Sequence, residues 1–418
     1  VISRKLAFEM GKLKRKLWFR PALFSLGAVA TVSLAILLPP VLSFSAPTQF
    51  DPEAVEKVLT VLASSMLAVV TFSLSALVTA LSAAAQSATP RAATLLMEDG
   101  GVQNALSTFV GAFLFGVVGI IGISGGIYSN SGRFLLFAAT AVVIAVVVVT
   151  LVRWIDRITR LGRVGSTIDT VEEATSRAFA TYSGLPATTN HAVQLADAHL
   201  EYSGIPVFVT KVGYVQHLDL DPLVVAAQKA RAKIHLTVRP GAFVDPTRRV
   251  AVIDVETLGD LPDHVRAAIT VGDARSFDQD PRFGLVVLSE IASRALSPGI
   301  NDPGTAIDVI GTLVRILWTW QATHQNAADE EDNTCLSVPR LDPSDILEDS
   351  FRAIARDGAG TVEVASRLAK ALRSLEDLPD ADLSLAARVR LADLVDRVRL
   401  SGCTESDRTT VESIAAAP

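Results

Sequence analysis

"FLLFAATAVVIAVVVVTLVRWIDRITR", residues 134–160, opens with a valine-rich run that holds no ionisable side chain and closes on Arg153, Arg157 and Arg160. A helix needs about 20 apolar residues to cross the hydrocarbon of a bilayer, and residues 134–152 supply that length. Basic residues collect on the cytoplasmic side of such a run. The stretch therefore predicts a membrane-spanning helix that ends in the cytoplasm. Three further runs of the same kind precede it, at 22–44, 58–81 and 106–128, and none contains Asp, Glu, Lys, Arg or His. Half of the chain is hydrophobic and its mean hydropathy is +0.39, too apolar for an ordinary water-soluble protein.

Orientation follows from the short flanking segments. Arg4, Lys5, Lys12, Lys14, Arg15, Lys16 and Arg20 stand before the first run, and Arg153, Arg157, Arg160 and Arg163 follow the fourth. The segment 45–57 carries one lysine against three acids. Four crossings with both termini cytoplasmic satisfy this bias, which predicts a multi-pass protein of the plasma membrane. No cleavable signal peptide is expected, because the first run is long and lacks a small-residue cleavage site before Asp51-Pro52-Glu53.

Charge separates the chain into two parts. Up to Arg153 there are 11 Lys/Arg and 6 Asp/Glu; the remainder has 27 and 38. An acidic C-terminal part argues against nucleic acid as a partner, which requires basic stripes. Cys335 and Cys403 fit neither a metal spacing nor a disulfide framework and suit a reducing compartment. The expected organisation is a basic N-terminal segment (1–21), a four-helix transmembrane domain (22–153), a juxtamembrane helical stalk (154–190), a small β-rich module (191–260) and a helical domain (261–418). An acidic surface loop is expected near 324–345. The fold class is thus a transmembrane α-helical bundle followed by an α+β cytoplasmic domain.

Within the spans, ionisable groups are the usual mark of proton relays and ion-coupled carriers. Their absence lowers the case for a proton-coupled transporter and leaves open a pore lined by hydroxyls. Ser64, Thr71, Ser75 and Ser82 follow one another at intervals of seven, four and seven, and Thr79 extends the series, so all lie on one face of the second span. Hydroxyl and small residues glue membrane helices together, and the same stripe suits a water-filled path. Both readings stand at this point. The third span is rich in glycine, with Gly122 and Gly126 as a small-xxx-small pair. Pro39-Pro40 should kink or end the first span.

In the C-terminal part, "IPVFVTKVGYVQHLDLD" (205–221) alternates as a strand pair would. "IHLTVRPGAFVD" (234–245) reads as a strand entering a Pro240-Gly241 turn, and "RVAVIDVE" (249–256) as another strand. This arrangement resembles the half-motif of lipoyl- and biotinyl-like barrel-sandwich domains, though the turn offers no lysine to modify. His217, Asp219 and Asp221 alternate, as metal ligands or as an ordinary solvated strand face would; His191 and His199 beside Asp197 are a weaker grouping of the same kind. No zinc, Walker, dinucleotide or nucleophile-elbow motif is present, so neither a catalytic residue, a metal nor a cofactor is predicted.

The densest stretch is "SRALSPGINDPGTAIDVIG", 293–311. Ser297 precedes Pro298 and should leave helical geometry. Asp302 before Pro303 is a helix N-cap with proline at the first helical position, and Thr305 lies in the first turn. Asp280-Pro281 is a second cap of the same type, with Arg275 upstream. These features explain Ser297, Asp302 and Asp280 as structural. Asn301 is left without a reason, so a small-molecule or ion site around Arg275, Asp280, Ser297, Asn301, Asp302 and Thr305 stands beside the reading of a joint between helices. Thr305, Asp308, Thr312 and Arg315 share a polar face on the later helix.

"GDARSFDQDPRFGLVVLSEIASRALSPGINDPGTA" (272–306) resembles the signature of bacterial predicted membrane proteins grouped as domain of unknown function 2254. "TFSLSALVTALSAAAQSATPRAATLLMEDGGVQNALSTFVGAFLF" (71–115), "GYVQHLDLDPLVVAA" (213–227) and "VRPGAFV" (238–244) are similar to the same family, with Thr89 where a serine usually stands before Pro90-Arg91. The resemblance implies an integral protein of the bacterial inner membrane with a cytoplasmic domain, and no particular activity. Together these readings predict a homo-oligomer in the lipid bilayer, channel-like with a cytoplasmic sensing or gating domain. The alternative is a non-conducting sensor or scaffold that binds its ligand near the Ser297–Asp302 turn.

Overall fold

The computed structural model of the chain describes residues 4–16, 18–41, 51–184, 193–196, 202–324 and 334–417. They form two compact units, one of Met10–Gln86 and Pro90–Ser166, the other of Val1–Glu9, Ser87–Thr89 and Thr167–Pro418.

The first unit is helical. After α1 (Arg4–Arg15) come α2 (Phe19–Val41), α3 (Pro52–Ser87), α4 (Pro90–Met97), α5 (Gly100–Ser124) and α6 (Asn130–Arg160). Among the described residues, α2, α3, α5 and α6 are long and apolar enough to cross a membrane. With 36 and 31 residues, α3 and α6 outrun the predicted spans at both ends. At 1.5 Å per residue they measure about 54 and about 46 Å, against a hydrocarbon layer of about 30 Å. Helix α2 runs through Pro39 and Pro40 to Val41, the last residue described before 51.

Glycines set the packing of this unit. A Cβ on Gly116 would lie 3.0 Å from the Ala63 Cβ and 3.2 Å from the Leu59 carbonyl oxygen, so α5 meets α3 backbone to backbone. Gly111 brings α5 equally close to Phe24 of α2. The Gly122–Gly126 pair is not a helix contact. Helix α5 ends at Ser124, and Gly126 adopts φ 67° in the closing turn, where its N–H donates to the Ile123 carbonyl. Leu59, Phe109, Phe115 and Leu136 form the buried centre of the unit.

A polar cluster ties one end of the bundle. Arg20 donates to Asn104 Oδ1 at 2.6 Å and to the Gly100 carbonyl at 3.2 Å. Arg157 pairs with Asp99, whose carboxylate also caps α5 through the N–H groups of Gly101 and Val102. The start of α2, the start of α5 and the end of α6 therefore share one end, as an even number of crossings requires. Over its described residues the segment expected as a helical stalk is divided between two helices. Gly162, at φ 83° and pressed against the Ala80 carbonyl, separates α6 from α7 (Val164–Ser183).

The second unit mixes strands and helices. Its elements are β1 (Val193–Ala196), β2 (Ile205–Phe208), β3 (Gly213–Leu218), α8 (Leu220–Ala230), β4 (Lys233–Leu236), β5 (Phe243–Val244), β6 (Arg249–Asp254), α9 (Leu261–Ala268) and β7 (Ile269–Gly272). Then follow α10 (Pro281–Ala295), α11 (Pro303–His324), β8 (Leu336–Pro339), α12 (Pro343–Gly358), α13 (Val362–Glu376), α14 (Ala381–Leu400) and α15 (Glu405–Ala416). A five-stranded mixed sheet has the order β1-β8-β4-β6-β2, and a three-stranded antiparallel sheet the order β5-β3-β7.

Several expectations change here. The segment 205–221 is not a strand pair, because β2 joins β6 in the larger sheet while β3 joins β5 and β7 in the smaller one. The barrel-sandwich resemblance does not hold, since the larger sheet takes in parallel strands from far apart in the chain. The stretch near 324–345 is not all loop. Residues 336–339 form β8, wholly buried and parallel to β4, with Ile234 opposite Leu336. A strand covered on both faces shows no alternation of polar and apolar residues.

The helical layer centres on α10, whose Leu285, Val287, Leu288, Ile291 and Ala292 are fully buried between α11 and α12. Helix α7 comes so close to α10 that a Cβ on Gly284 would fall 1.9 Å from Thr175 Oγ1 and 2.7 Å from its Cβ. Gly284→Ala should therefore cost about 1–3 kcal/mol of stability through overpacking. Thr175→Ala added to it should recover part of that loss in denaturant titration, and equal stabilities of single and double variants would refute the contact.

Candidate functional site

The two halves of the predicted C-terminal site lie at opposite ends of α10. Asp280 caps the start of this helix and Leu296 its end, so they are separated by about 22 Å at 1.5 Å per residue. Arg275 and Asp280 come together; Ser297, Asn301, Asp302 and Thr305 gather separately.

The second group is a closed turn. The Ser297 hydroxyl donates to the Arg294 carbonyl at 2.7 Å, and the Ser297 carbonyl accepts from the N–H groups of Ile300 and Asn301. Asp302 donates its N–H to the Ala295 carbonyl at 2.8 Å. Its carboxylate receives the Thr305 N–H at 3.1 Å and the Thr305 hydroxyl at 2.6 Å. Those two bonds hold the Asp302 carboxyl below the usual carboxylate range, hydroxyl first. Its contribution to stability is thus present above the unfolded value and lost as pH falls through the lower folded value. Asn301 is exposed and takes φ 51°, a left-handed conformation that asparagine tolerates better than other side chains. That answers the question the sequence left about this residue, and it does so without a ligand.

Asp280 is a different case. It is 2% exposed and accepts a two-pronged pair from Arg275, Nε to Oδ2 at 2.7 Å and Nη2 to Oδ1 at 3.0 Å. It also accepts the Phe283 N–H at 3.1 Å, which makes it the N-cap of α10. Burial pushes its carboxyl upward, and Arg275 opposes that. Gly241 of the Pro240-Gly241 turn presses against it: a Cβ there would lie 2.1 Å from Asp280 Oδ2, and the backbone has φ 86°. Arg282, in the first turn of α10, bonds Asp349 at 2.5 Å and pairs with Asp345 at the start of α12; Arg239, before the turn, reaches Asp345 at 2.6 Å. The Tyr182 hydroxyl, fully buried, donates to the Pro339 carbonyl at 2.5 Å, and burial pushes its phenol up so that it remains a neutral donor. Arg275 and Asp280 pair within the segment that enters α10, and Arg239 and Arg282 both reach α12, so this is a structural joint between the sheets and the helical layer. The polar face of α11 is a joint as well, since Arg315 makes a two-pronged pair with Glu172 of α7 at 2.9 and 2.7 Å.

The candidate metal ligands do not share a strand face. His217 is buried with its ring stacked on Phe8, Asp219 occupies the N-cap position of α8, and Asp221 lies in its first turn. Among the described residues, no three His, Cys, Asp or Glu are grouped as a metal would require. His191 and His199 fall outside the described residues.

In the helical unit, the hydroxyl stripe is the notable feature. Ser64, Thr71, Ser75, Thr79 and Ser82 are all exposed, whereas Leu59, Leu62, Met66, Ser73 and Leu77 on the other side of α3 are buried. The exposed hydroxyls bond back to their own helix: Ser64 to Thr60, Thr71 to Leu67, Ser75 to Thr71 and Thr79 to Ser75, at 2.8 to 3.0 Å. Packing among the described helices of this chain does not use this face. The spacing of these residues in the sequence does not say which neighbour the face meets.

The family model described as Predicted membrane protein (DUF2254) matches residues 14–374. An uncharacterised protein of Mycobacterium bovis is 26% identical over 222 residues, which cover 51% of this chain and 43% of that protein. Two uncharacterised proteins of Mycobacterium tuberculosis match over the same length at the same identity and coverage. The match thus spans less than half of each relative. No solved structure matches the chain.

Two predictions follow from the geometry around α10. Gly241→Ala and Asp280→Ala should each destabilise by about 3 kcal/mol, one by strain and collision, the other by stranding Arg275 and removing the cap. In the double variant the collision has no partner, so the losses should fall short of additive by about 1 kcal/mol or more. Strict additivity in chemical denaturation would sink the contact. At the turn, Asn301→Gly should be neutral within a few tenths of a kcal/mol and Asn301→Val should cost about 1–2 kcal/mol; the reverse order in thermal melts would refute the left-handed assignment.

Proposed function

We propose that this chain, which belongs to the predicted membrane protein family DUF2254, acts as an oligomeric, channel-like membrane protein with a cytoplasmic sensing domain. The observation that carries the reading is the hydroxyl face of α3, left exposed by its own bundle. In this reading several copies assemble with these faces toward a common axis. A path lined by hydroxyls and small side chains offers hydrogen bonds to a moving solute or hydrated ion. It carries no fixed charge, so selection by charge falls to the mouths of the path. The basic residues at both ends of the four spans support a cytoplasmic position for the α/β unit in this reading.

A non-conducting sensor built on the Ser297–Asp302 turn has less support, because the polar groups of that turn are engaged with one another. A hydroxyl face turned to lipid is the plainer competitor. Hydroxyls bonded to their own backbone carry no large penalty in hydrocarbon.

Two measurements separate these readings. With Cys335 and Cys403 replaced by Ser, Ser75→Cys should form intermolecular disulfides in liposomes, while Leu74→Cys, exposed but about 100° away around α3, should form fewer. Reconstituted protein should pass small solutes or ions, and Ser75→Phe should cut that flux by about tenfold or more while the oligomer persists. A monomeric mass in lipid nanodiscs, or no flux under any ion or solute gradient, would overturn the proposal.

A further inference from the structure

A cleft of about 450 Å³ opens between α10, α12 and α14. That volume suits a small metabolite. Its walls bring together Val286, Ser289 and Ala353 with three guanidinium groups, Arg352, Arg356 and Arg397. Three carboxylates, Glu290, Glu348 and Asp349, line it as well. It lies along α10 from Val286 to Ser293.

Ser289 is the informative residue. It is 3% exposed, and its hydroxyl has no hydrogen-bond partner among the described residues. A buried serine within a helix ordinarily bonds to the carbonyl four residues back, as Ser350 of α12 does with Ile346 at 2.7 Å. Leaving a buried hydroxyl unsatisfied is unfavourable, so the position calls for a partner that the chain does not supply. Ser293, one turn on, is already committed to Asp357.

The charges define what that partner carries. Three positive and three negative groups surround one small volume. A polyanion would meet the carboxylates, and a polycation the guanidiniums. A molecule of no net charge with separated charges suits both sets. Asp349 is held by Arg282, and Glu348 also accepts from Arg390 at 3.2 Å, but Arg352 and Arg356 are well exposed, paired with Glu348 one turn away and with the neighbouring Asp357. Such surface pairs are worth little and yield readily to a ligand.

We infer that this cleft binds a small zwitterion of the free α-amino acid class. Its carboxylate lies toward Arg352 and Arg356, its ammonium toward Glu290 and Glu348, and a polar atom meets Ser289 Oγ. The inference deepens the sensing part of the function proposed above by naming the class of molecule sensed.

The test uses the full chain in detergent. Thermal unfolding is followed with a panel of free amino acids, and with inorganic phosphate and a linear diamine as probes of single charge sign. At least one amino acid should raise the melting temperature in a saturable way, as a ligand of the native state does; phosphate and diamine should not. Ser289→Ala should leave the unliganded protein as stable or more stable, and weaken binding by about tenfold, the equivalent of one hydrogen bond. Arg352→Gln, at an exposed position, should weaken binding comparably, and it serves alone if the Ser289 variant does not fold. The inference is overturned if no amino acid stabilises the protein, if phosphate or diamine does so in their place, or if both variants bind as the parent does. Binding is read without any flux, so binding without conduction overturns the channel and spares the cleft, and conduction without binding does the reverse.

Discussion

The α/β unit depends on one buried carboxylate. Asp280 terminates α10, fixes Arg275 and leaves room beside it only for the hydrogen of Gly241. A lone buried carboxylate would be very costly. Here a guanidinium and a backbone N–H share the cost, and the geometry allows little tolerance. The close approach makes the Pro240-Gly241 turn and the start of α10 mutually dependent, although nearly 40 residues separate them in the chain. Arg239 and Arg282 extend the same joint to α12 through Asp345 and Asp349. The sheets and the helical layer are thereby held by ion pairs as well as by apolar burial.

The helical unit works on the opposite principle. Its interior contacts are made by the absence of side chains, with Gly111 and Gly116 letting α5 touch α2 and α3. At one end Arg20, Asp99, Asn104 and Arg157 join helix termini. In hydrocarbon no hydrophobic drive separates helices from lipid, and close packing with satisfied polar groups is the available source of cohesion. Against that background a face of five hydroxyl-bearing residues left outside the bundle on α3 is conspicuous. Lipid contact gains nothing from hydroxyls, whereas another helix or water does.

Features written in consecutive residues were legible in the sequence. The four apolar runs, the caps at Asp280-Pro281 and Asp302-Pro303, and the end of α10 near Leu296 depend on local chemistry and stand where the residues indicate. Features that depend on distant partners were not. Strand β8 is four buried residues whose partner β4 lies about a hundred residues earlier, so no periodicity announces it. Asn301 was puzzling only because side-chain chemistry was considered before backbone conformation; an asparagine between a helix end and an Asp-Pro cap is a candidate for the left-handed region. Ser289 reads as one more small residue on an apolar helix, and nothing local distinguishes it from Ser350, whose hydroxyl is satisfied.

The cleft and the joint share Asp349, and that gives the proposed sensing role a physical route. Asp349 lines the cleft and also accepts from Arg282, which follows the Asp280 cap by two positions. Helix α10 carries the cap at its start, Ser289 at its middle and the Ser297–Asn301 turn at its end. A ligand that draws on Asp349 or its neighbours competes with the bond that holds α12 to α10. A ligand can shift an arrangement only by as much as it binds one state better than another. Ion pairs that can be exchanged between protein and ligand supply that difference, whereas an apolar seam between α10 and α12 would be filled or empty without altering the joint. In the proposed reading the mixed-charge wall of the cleft would serve two ends, recognition of a dipolar molecule and transmission of its presence to the Asp280 joint.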